Sequence, residues 1–343
     1  LMVTGAGGGY SRWEGFELTR WRADGTADAW GTFCYLRDRD TDRTWSNAYQ
    51  PVRGSMDNYS VSFAVDRAEI RRSDDGVETE TAIVVAPEDD VEIRRISLIN
   101  RSDRLRNLEI TSYVELALAP HTADRQHPAF NKLFIETEAI RERGALVASR
   151  RLREPEEPPV WVCHLLTEPV PTGKGVEFET DRRRFLGRGR TPENPSALHG
   201  DLSNSAGRVL DPIFSLRRYV TLEPGQRAEF SLILGAAQTR DEVLALVEKY
   251  TDAHAVERQI DLAWSHAQLE LRHLRVQADE ARRFRQLADS LIHPSRQLRP
   301  PSERLKQNRL GQSRLWPYGI SGDDPICLAT IGESRDIGLI RQV

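Results

Sequence analysis

The sequence predicts a mainly β protein: a large antiparallel sandwich of two sheets followed by a helical linker. Up to about residue 238, short runs rich in Val, Ile, Thr and Tyr alternate with turn residues, which is typical of an all-β domain. Beyond that point the apolar period changes from two to three or four residues, which is typical of helices. So many strands without intervening helices argue against a doubly wound α/β fold.

The clearest strand is predicted over 108–116. Its even-numbered positions from Leu108 to Leu116 are mostly apolar, whereas its odd-numbered positions carry Glu, Thr and Tyr. One face is therefore buried, and the other is either wet or packed on another layer. Similar patterns predict strands at 61–65, 79–85, 91–99, 133–140, 161–166, 214–222 and 230–234. The apolar phase slips at Arg94-Arg95, which predicts a β-bulge there.

Three helices are predicted after the strands. Thr239 and Glu242 form a capping-box pattern that begins a helix ending near Lys249. A longer stripe packs either on the sandwich or on another domain; it consists of Val256, Ile260, Ala263, Ala267, Leu271 and Leu274. A third helix carries Phe284, Leu287 and Leu291, and is ended by Pro294. We therefore divide the chain into a sandwich at 1–238, a helical linker at 239–300 and the truncated start of a following segment at 301–343.

Composition excludes several classes of function. The 343 residues carry 48 basic and 52 acidic side chains, and no basic block lacks nearby acids, so a nucleic-acid partner is not expected. No apolar run approaches the roughly 18 residues of a membrane helix, so direct membrane insertion is not expected. Cys34, Cys163 and Cys327 lack metal-ligand spacing, so the sequence indicates no disulfide framework, metal or cofactor. Both chain ends are interpreted as cuts within a larger polypeptide.

The opening residues are typical of a sugar-binding surface. Arg20, Trp21, Asp24, Asp28 and Trp30 alternate aromatic and charged side chains. Indole faces cover the apolar face of a pyranose, while guanidinium and carboxylate groups hydrogen-bond its hydroxyls. Asp24 and Asp28 would lie about 13 Å apart on a strand, which is too far for the acid and base of an inverting glycosidase. Salt bridges from these aspartates to Arg20 or Arg22 are the alternative interpretation.

Two further polar segments are weaker candidates for ligand contact. His121 and His127 flank Asp124 without the spacing of a metal motif, so the segment is interpreted first as a polar loop and second as a ligand contact through His127. Asp181 and Arg188 lie in a charged segment with the same two interpretations. The glycine-rich run at 5–9 lacks the pattern of a phosphate-binding loop and predicts a flexible loop or a tight hairpin.

Eight long runs resemble the cyclic β-1,2-glucan synthases. They are TRWRADGTADAWGTFCYLRD, VDRAEIRR, EIRRISLIN, ITSYVELALAP, HPAFNKLF, FETDRRRFLGRGR, VLDPIFSLRR and LWPYGISGDDPI. The resemblance covers nearly the whole chain and falls in the supersandwich domain related to the N-terminal domain of family 94 glycoside phosphorylases. It implies an antiparallel two-sheet supersandwich within a large inner-membrane enzyme that makes and cyclises glucan from UDP-glucose.

The resemblance implies no catalytic residue in this chain. In the phosphorylases the general acid is an aspartate on an (α/α)6 barrel that follows the sandwich and linker. Asp323 and Asp324 are interpreted as a turn rather than as that acid. The implied partners are β-1,2-glucan or another β-glucan oligosaccharide and other domains of the same polypeptide, at the cytoplasmic face as a soluble part of the membrane protein. A purely structural module, or the N-terminal domain of a disaccharide phosphorylase, is the alternative.

Overall fold

The computed structural model describes residues 1–24, 26–154, 156–167, 175–292, 299–323, 326, 328 and 332–334. The chain divides into two compact units, Leu1–Ala267 and Gln268–Val343. Pro294, Asp324 and Cys327, which the sequence predictions used, lie outside the described residues. None of the helices in the described part combines the length and apolar character needed to cross a bilayer.

Seventeen strands are found in the described part of the first unit. They are β1 Met2–Val3, β2 Gly9–Tyr10, β3 Arg12–Trp13, β4 Phe16–Thr19, β5 Phe33–Asp38, β6 Thr44–Ser46, β7 Asn58–Phe63, β8 Ala68–Asp74, β9 Val77–Val85, β10 Val91–Asn100, β11 Arg106–Pro120, β12 Ile135–Ile140, β13 Ala145–Arg150, β14 Trp161–Leu166, β15 Glu177–Asp181, β16 Pro212–Leu222 and β17 Arg227–Ala237. The predicted mainly β class with helices after the strands is confirmed.

Helices occur in two insertions and in the last third of the chain. They are α1 His121–Gln126, α2 Pro128–Lys132, α3 Arg182–Leu186, α4 Arg240–Tyr250, α5 Ala253–Leu274, α6 Ala278–Ile292 and α7 Ser302–Gln307. Short 3-10 turns lie at Arg141–Arg143, Ser196–His199, Gln312–Arg314 and Trp316–Tyr318.

Two large antiparallel sheets form the sandwich. The eight-stranded sheet has the order β12-β13-β14-β17-β10-β9-β8-β7. In the seven-stranded sheet β15 and β16 lie along one side of β11. The other side of β11 pairs with β5 along its first half and with β4 along its second half. Strand β11 is therefore the axis of this sheet, and the long alternating pattern that predicted it reflects that central position.

The main core lies between the two sheets. The even-numbered apolar side chains of β11, from Leu108 to Leu118, meet Ile96, Leu98 and the inward residues of β14 and β17 there. The odd-numbered face of β11 is covered as well, because Tyr113 packs with Phe33 and Phe185 in a second cluster beneath the 182–202 segment. Of the two environments predicted for that face, another packed layer is the one observed.

The first linker helices cover the outer face of the eight-stranded sheet. Helix α4 begins at the predicted capping box, with Thr239 and Glu242 exchanging both side-chain to backbone hydrogen bonds. Its residues Val243 and Val247 pack with Val256 and Ile260 of α5 against β10 and β14. The beginning of the predicted α5 stripe thus packs on the sandwich, which is one of the two positions that the sequence predicted for it.

The predicted bulge at Arg94-Arg95 is wrong. Strand β10 pairs in unbroken register with both β9 and β17. The apolar phase slips because Glu92 and Arg94 form a buried ion pair, with Arg94 Nε 2.5 Å from Glu92 Oε1, on the face that carries Ile96 and Leu98 further along. The register instead shifts in β11 against β4, between Leu116 and Ala119.

The glycine-rich start forms a tight hairpin, which is one of the two structures that the sequence predicted for it. Strands β1 and β2 pair with Met2 opposite Tyr10, and the turn brings backbone close to the carboxylate of Asp28. A Cβ at Gly8 would lie 2.4 Å from Asp28 Oδ1, so only glycine fits beside this carboxylate. Asp28 also accepts a hydrogen bond from the Thr4 hydroxyl.

Candidate functional site

The predicted sugar-binding segment leaves strand β4 at Arg20, and this arginine is buried. Only 4% of Arg20 is exposed. Its Nη2 and Nε lie 3.0 and 3.3 Å from the two oxygens of Asp124 in α1. Arg22 donates to the same carboxylate and, at 3.0 Å, to the Asp124 carbonyl. Arg20, which the sequence predicted to contact a ligand, therefore joins Arg22 in binding this segment to the helical insertion α1–α2.

Asp124 is the centre of this contact. It is fully buried and lies 104 residues from Arg20 in the sequence. Burial acts to raise the pKa of its carboxyl, but hydrogen bonds and positive charge from Arg20 and Arg22 outweigh burial and hold the pKa below its usual range. The alternative interpretation, in which Asp24 or Asp28 pairs with Arg20 or Arg22, is not observed among the described residues, because Asp124 accepts from both arginines.

The ionic network continues onto the seven-stranded sheet. Glu115 of β11 lies 3.7 Å from Arg20 Nη1 and 2.7 Å from Arg182 Nε. The carboxylate oxygens of Asp211 lie 3.9 Å from Arg20 Nη1 and 3.6 Å from Arg182 Nη1. Lys132 Nζ of α2 lies 2.5 Å from Asp211 Oδ1. Distant parts of the chain, from the end of β4 to the residue before β16, thus meet through buried or half-buried ion pairs. We call this set the Arg20 network; its members are Arg20, Arg22, Glu115, Asp124, Lys132, Arg182 and Asp211.

The aromatic members of the predicted segment contact strand β2. Trp21 is half-buried, with its ring centroid 5.2 Å from that of Tyr10. Trp30 is half-buried, and its carbonyl accepts from Gly9 N at 2.8 Å. Asp24 is exposed, and hydrogen bonds from Thr26 and the next amide lower its pKa. Trp21, Asp24 and Trp30 are therefore the accessible part of the predicted surface.

The other predicted residues have mixed positions. His127 is exposed between α1 and α2, where the sequence predicted a polar loop. Two short helices form there instead, because Pro128 can occupy the first position of α2 without losing a hydrogen bond. Asp181 caps α3 by accepting from the Arg183 amide at 2.9 Å, and Arg188 is exposed just beyond that helix. Their contact with a ligand remains a prediction.

The sequence did not identify Glu115, Lys132 or Asp211 as members of a site, and it placed Arg182 only in the charged segment that contains Asp181. Each belongs to an ordinary-looking strand or polar segment, and only the fold brings them together. Glu115 gave one available signal, since it occupies an odd-numbered position of a strand whose other face is apolar. Such a residue is either in water or in a second packed layer, and the sequence left both open.

No metal or thiol chemistry is evident in the described part of the chain. No three His, Cys, Asp or Glu side chains are grouped there so that they could hold a metal ion. Cys34 and Cys163 are both free and buried, and burial raises the pKa of each thiol to about 12. These two thiols are therefore kept protonated and shielded at neutral pH.

The comparison with protein families assigns this architecture. Residues 1–253 match the family described as the glycosyl hydrolase 94 supersandwich domain. The chain belongs to this family. The resemblance inferred from the sequence is thus confirmed, and the two-sheet core, with the Arg20 network beside it, lies within the matched region.

The relatives of this supersandwich chain act on sugars, as their names state. The cyclic beta-(1,2)-glucan synthase NdvB of Rhizobium meliloti is 37% identical over 344 residues, covering 100% of this chain and 12% of the synthase. Solabiose phosphorylase of Paenibacillus borealis is 28% identical over 63% of this chain and 27% of that enzyme. N,N'-diacetylchitobiose phosphorylase of Vibrio proteolyticus is 28% identical over 73% of this chain and 31% of that enzyme. The chain therefore spans less than a third of each of these three relatives.

Proposed function

We propose that this chain is a non-catalytic supersandwich segment of a cyclic β-1,2-glucan synthase, where it contacts the glucan and holds neighbouring domains in place. One observation carries the proposal: the 37% identity to the synthase extends over the whole chain, sandwich and helices alike. The solabiose and diacetylchitobiose phosphorylases match only 63% and 73% of it. A synthase segment is therefore preferred to the N-terminal domain of a disaccharide phosphorylase.

The charges of the Arg20 network support a non-catalytic role. Asp124 and Glu115, its most buried carboxylates, each contact an arginine at 3.0 Å or less. Asp124 is a poor general acid, because its partners Arg20 and Arg22 favour the ionised form and lower the pKa of its carboxyl. The accessible Asp24 accepts hydrogen bonds from its own turn, from the amide and the hydroxyl of Thr26.

The remaining assignments follow from this proposal. We propose the domain division 1–238, 239–300 and 301–343, with other domains of the same polypeptide as partners. The segment would be a soluble part of a membrane protein and would lie at its cytoplasmic face. Its ligand would be β-1,2-glucan or another β-glucan oligosaccharide.

Isothermal titration of the 343-residue chain tests glucan contact. Linear and cyclic β-1,2-glucans are the ligands, and cellobiose and laminarin oligosaccharides are the linkage controls. The proposal expects saturable heat with the β-1,2 series alone, and Trp21→Ala reports whether the opening segment contributes. No heat with any glucan, from a sample shown to be folded by circular dichroism, would overturn the carbohydrate-binding part.

A purely structural interdomain role is the second candidate. The burial of Arg20 favours it, because a buried guanidinium that joins β4 to α1 stabilises the fold and is not accessible to a sugar. This candidate expects the folded chain to ignore every glucan. It also expects Trp21→Ala to alter stability or domain association without altering any sugar affinity.

A further inference from the structure

An exposed surface of aromatic rings and arginines lies on α2 and on the segment after β13. Phe130 and Leu133 are 47% and 53% exposed, and Leu152 is 41% exposed. Two exposed arginines and a half-buried phenylalanine complete the group. We call it the Phe130 surface; its members are Phe130, Leu133, Phe134, Arg151, Leu152 and Arg153.

The rings and guanidinium groups of this surface are stacked. The rings of Phe130 and Phe134 meet edge to face, with their centroids 5.1 Å apart and their planes at 72°. Arg153 Cζ lies 5.3 Å from the Phe130 centroid and 5.6 Å from that of Phe134. Arg151 Cζ lies 5.5 Å from the Phe134 centroid. Stacking of this kind restricts a guanidinium while leaving its N–H groups at the ring edge available.

The backbone under the Phe130 surface is held in place. Arg151 N donates to the Phe134 carbonyl at 2.7 Å, and Arg153 N donates to Glu157 Oε2 at 2.8 Å. Beneath them the buried Arg150 bonds Asn131 Oδ1 at 3.2 Å and pairs with Glu157 at the same distance. The surface is therefore preorganised, which lowers the entropy that a ligand loses on binding.

Neither exposed arginine is neutralised by a direct partner. Within the described residues, neither Arg151 nor Arg153 forms an ion pair at 4.0 Å or less, although the charge of Arg153 helps to lower the pKa of nearby Glu157. The local charge is nevertheless balanced, because residues 150–157 contain three arginines and three glutamates. This balance gives little attraction for a polyanion or an anionic membrane, whereas unpaired guanidinium donors suit a neutral ligand rich in hydroxyl groups.

The size of the surface also favours a small ligand. Six residues are far fewer than the roughly 20 to 30 per side of a standard protein interface. Exposed apolar side chains beside fixed hydrogen-bond donors are the combination that a pyranose ring requires. In the opening segment, by contrast, the guanidinium of Arg20 is buried and cannot donate to a ligand in this way.

We propose that the Phe130 surface is a binding subsite for a neutral β-glucan chain. A pyranose packs its apolar face on Phe130 and Leu133, and its hydroxyls accept hydrogen bonds from Arg151 and Arg153. This inference rests on the proposed function and deepens it. It assigns the glucan contact to α2 and to the two arginines after β13, rather than to Trp21. The run HPAFNKLF carries Phe130 and Leu133, whereas the arginines that complete the site follow β13.

The test compares variants of the 343-residue chain in titrations with linear β-1,2-glucan. Phe130→Ala and Arg153→Ala should each weaken binding by about tenfold or more, since both remove a central contact. Arg153→Lys keeps the charge but loses the planar donor fork, and should also bind more weakly. Arg71→Ala is the matched control, because Arg71 is an exposed arginine that pairs with Glu80 between β8 and β9, toward the opposite end of the eight-stranded sheet from β12 and β13.

The outcomes separate failure of the subsite from failure of the proposed glucan contact as a whole. Glucan binding by wild type, with Phe130→Ala and Arg153→Ala binding equally well, would overturn the subsite and leave glucan binding intact. Binding lost in Trp21→Ala but kept in both variants would assign the contact to the opening segment and overturn the subsite. No glucan binding by folded wild type would overturn both the subsite and the proposed glucan contact.

A separate measurement uses vesicles that contain anionic lipid. If the wild-type chain binds these vesicles and does not bind glucan, the surface is a membrane-binding surface and the subsite is overturned. Thermal unfolding of each variant confirms that the compared samples are folded.

Discussion

His164 Nε2 lies 2.8 Å from Ser112 Oγ, so a histidine of the eight-stranded sheet is hydrogen-bonded across the core to a serine of the seven-stranded sheet. His164 Nδ1 lies 2.9 Å from the Ile233 carbonyl, and the ring stacks on Phe214. A carbonyl can only accept, so Nδ1 carries the proton and Nε2 accepts from the serine hydroxyl. The neutral imidazole is therefore part of the contact between the two sheets.

This contact predicts a pH-dependent stability. Burial lowers the pKa of His164 to about 4, against about 6.5 in an unfolded chain. As pH falls below about 6.5, the unfolded chain takes up a proton that the folded protein does not, so stability decreases until about pH 4. The loss amounts to about 3 kcal/mol at 1.36 kcal/mol per pKa unit. Urea unfolding at pH 7.5 and pH 4.5 measures it, and His164→Gln should show a smaller loss because it cannot titrate. Equal losses in the two proteins would contradict the prediction.

Replacing Asp124 by Asn should destabilise the first unit strongly. The change leaves the buried guanidinium of Arg20 without its closest charge partner, and breaking a buried ion pair on one side costs about 3 to 5 kcal/mol. Glu193→Gln is the control, because its pair with Arg53 is 44% exposed on both sides and solvent screening should leave it little effect on stability. Chemical denaturation measures both changes, and similar small losses would show that the Arg20 network is not a structural centre.

Thr239→Ala should destabilise the chain by about 1 kcal/mol. The substitution removes the side-chain oxygen that accepts from the Glu242 amide at 3.2 Å, and loss of an N-cap typically has this effect. Because α4 buries Val243, Val247 and Tyr250 against the sheet, the loss should appear in global unfolding. Thr239→Ser keeps the cap and should stay close to wild type. An alanine variant as stable as the serine variant would show that the cap is not required.

Gly235→Ala should be destabilising through overpacking. A Cβ at this position of β17 would lie 2.9 Å from Cys163 Sγ and 3.1 Å from Leu246 Cδ1, where α4 approaches the sheet. Overpacking of a filled core costs about 1 to 3 kcal/mol. Gly54→Ala is the control, because a Cβ there meets no atom within 4 Å. The midpoints of thermal unfolding compare the two, and equal midpoints would show that α4 can move away from β17 at little cost.

Local patterns predicted the fold elements well where the buried side chains are mostly apolar. The predicted strand 161–166 coincides with β14, and the helix after Thr239 begins where the capping box indicated. The same method failed at Arg94, because β10 is buried on both faces and carries a charged pair inside the sandwich. Hydrophobic periodicity assumes that charged side chains face water, and a buried ion pair breaks that assumption.

The candidate site was less predictable. Arg20 was predicted to face a ligand because its neighbours Trp21 and Asp24 resemble a sugar surface, yet its partner Asp124 is 104 residues away. Nothing in the local pattern identifies that partner. In the same way, Phe130 and Arg153 meet only because α2 lies against the segment after β13.

By itself the sequence determined the mainly β class, the helices after the strands and the relationship to the glycosyl hydrolase 94 supersandwich family, because periodicity, capping patterns and long motifs are properties of contiguous residues. Only the tertiary structure decided which charged residues are neutralised and which are accessible. Arg20 is buried against Asp124 whereas Arg153 is exposed on Phe130, and the difference arises from contacts between distant segments. The free energy of a buried charge depends on those neighbours, and no local pattern contains them.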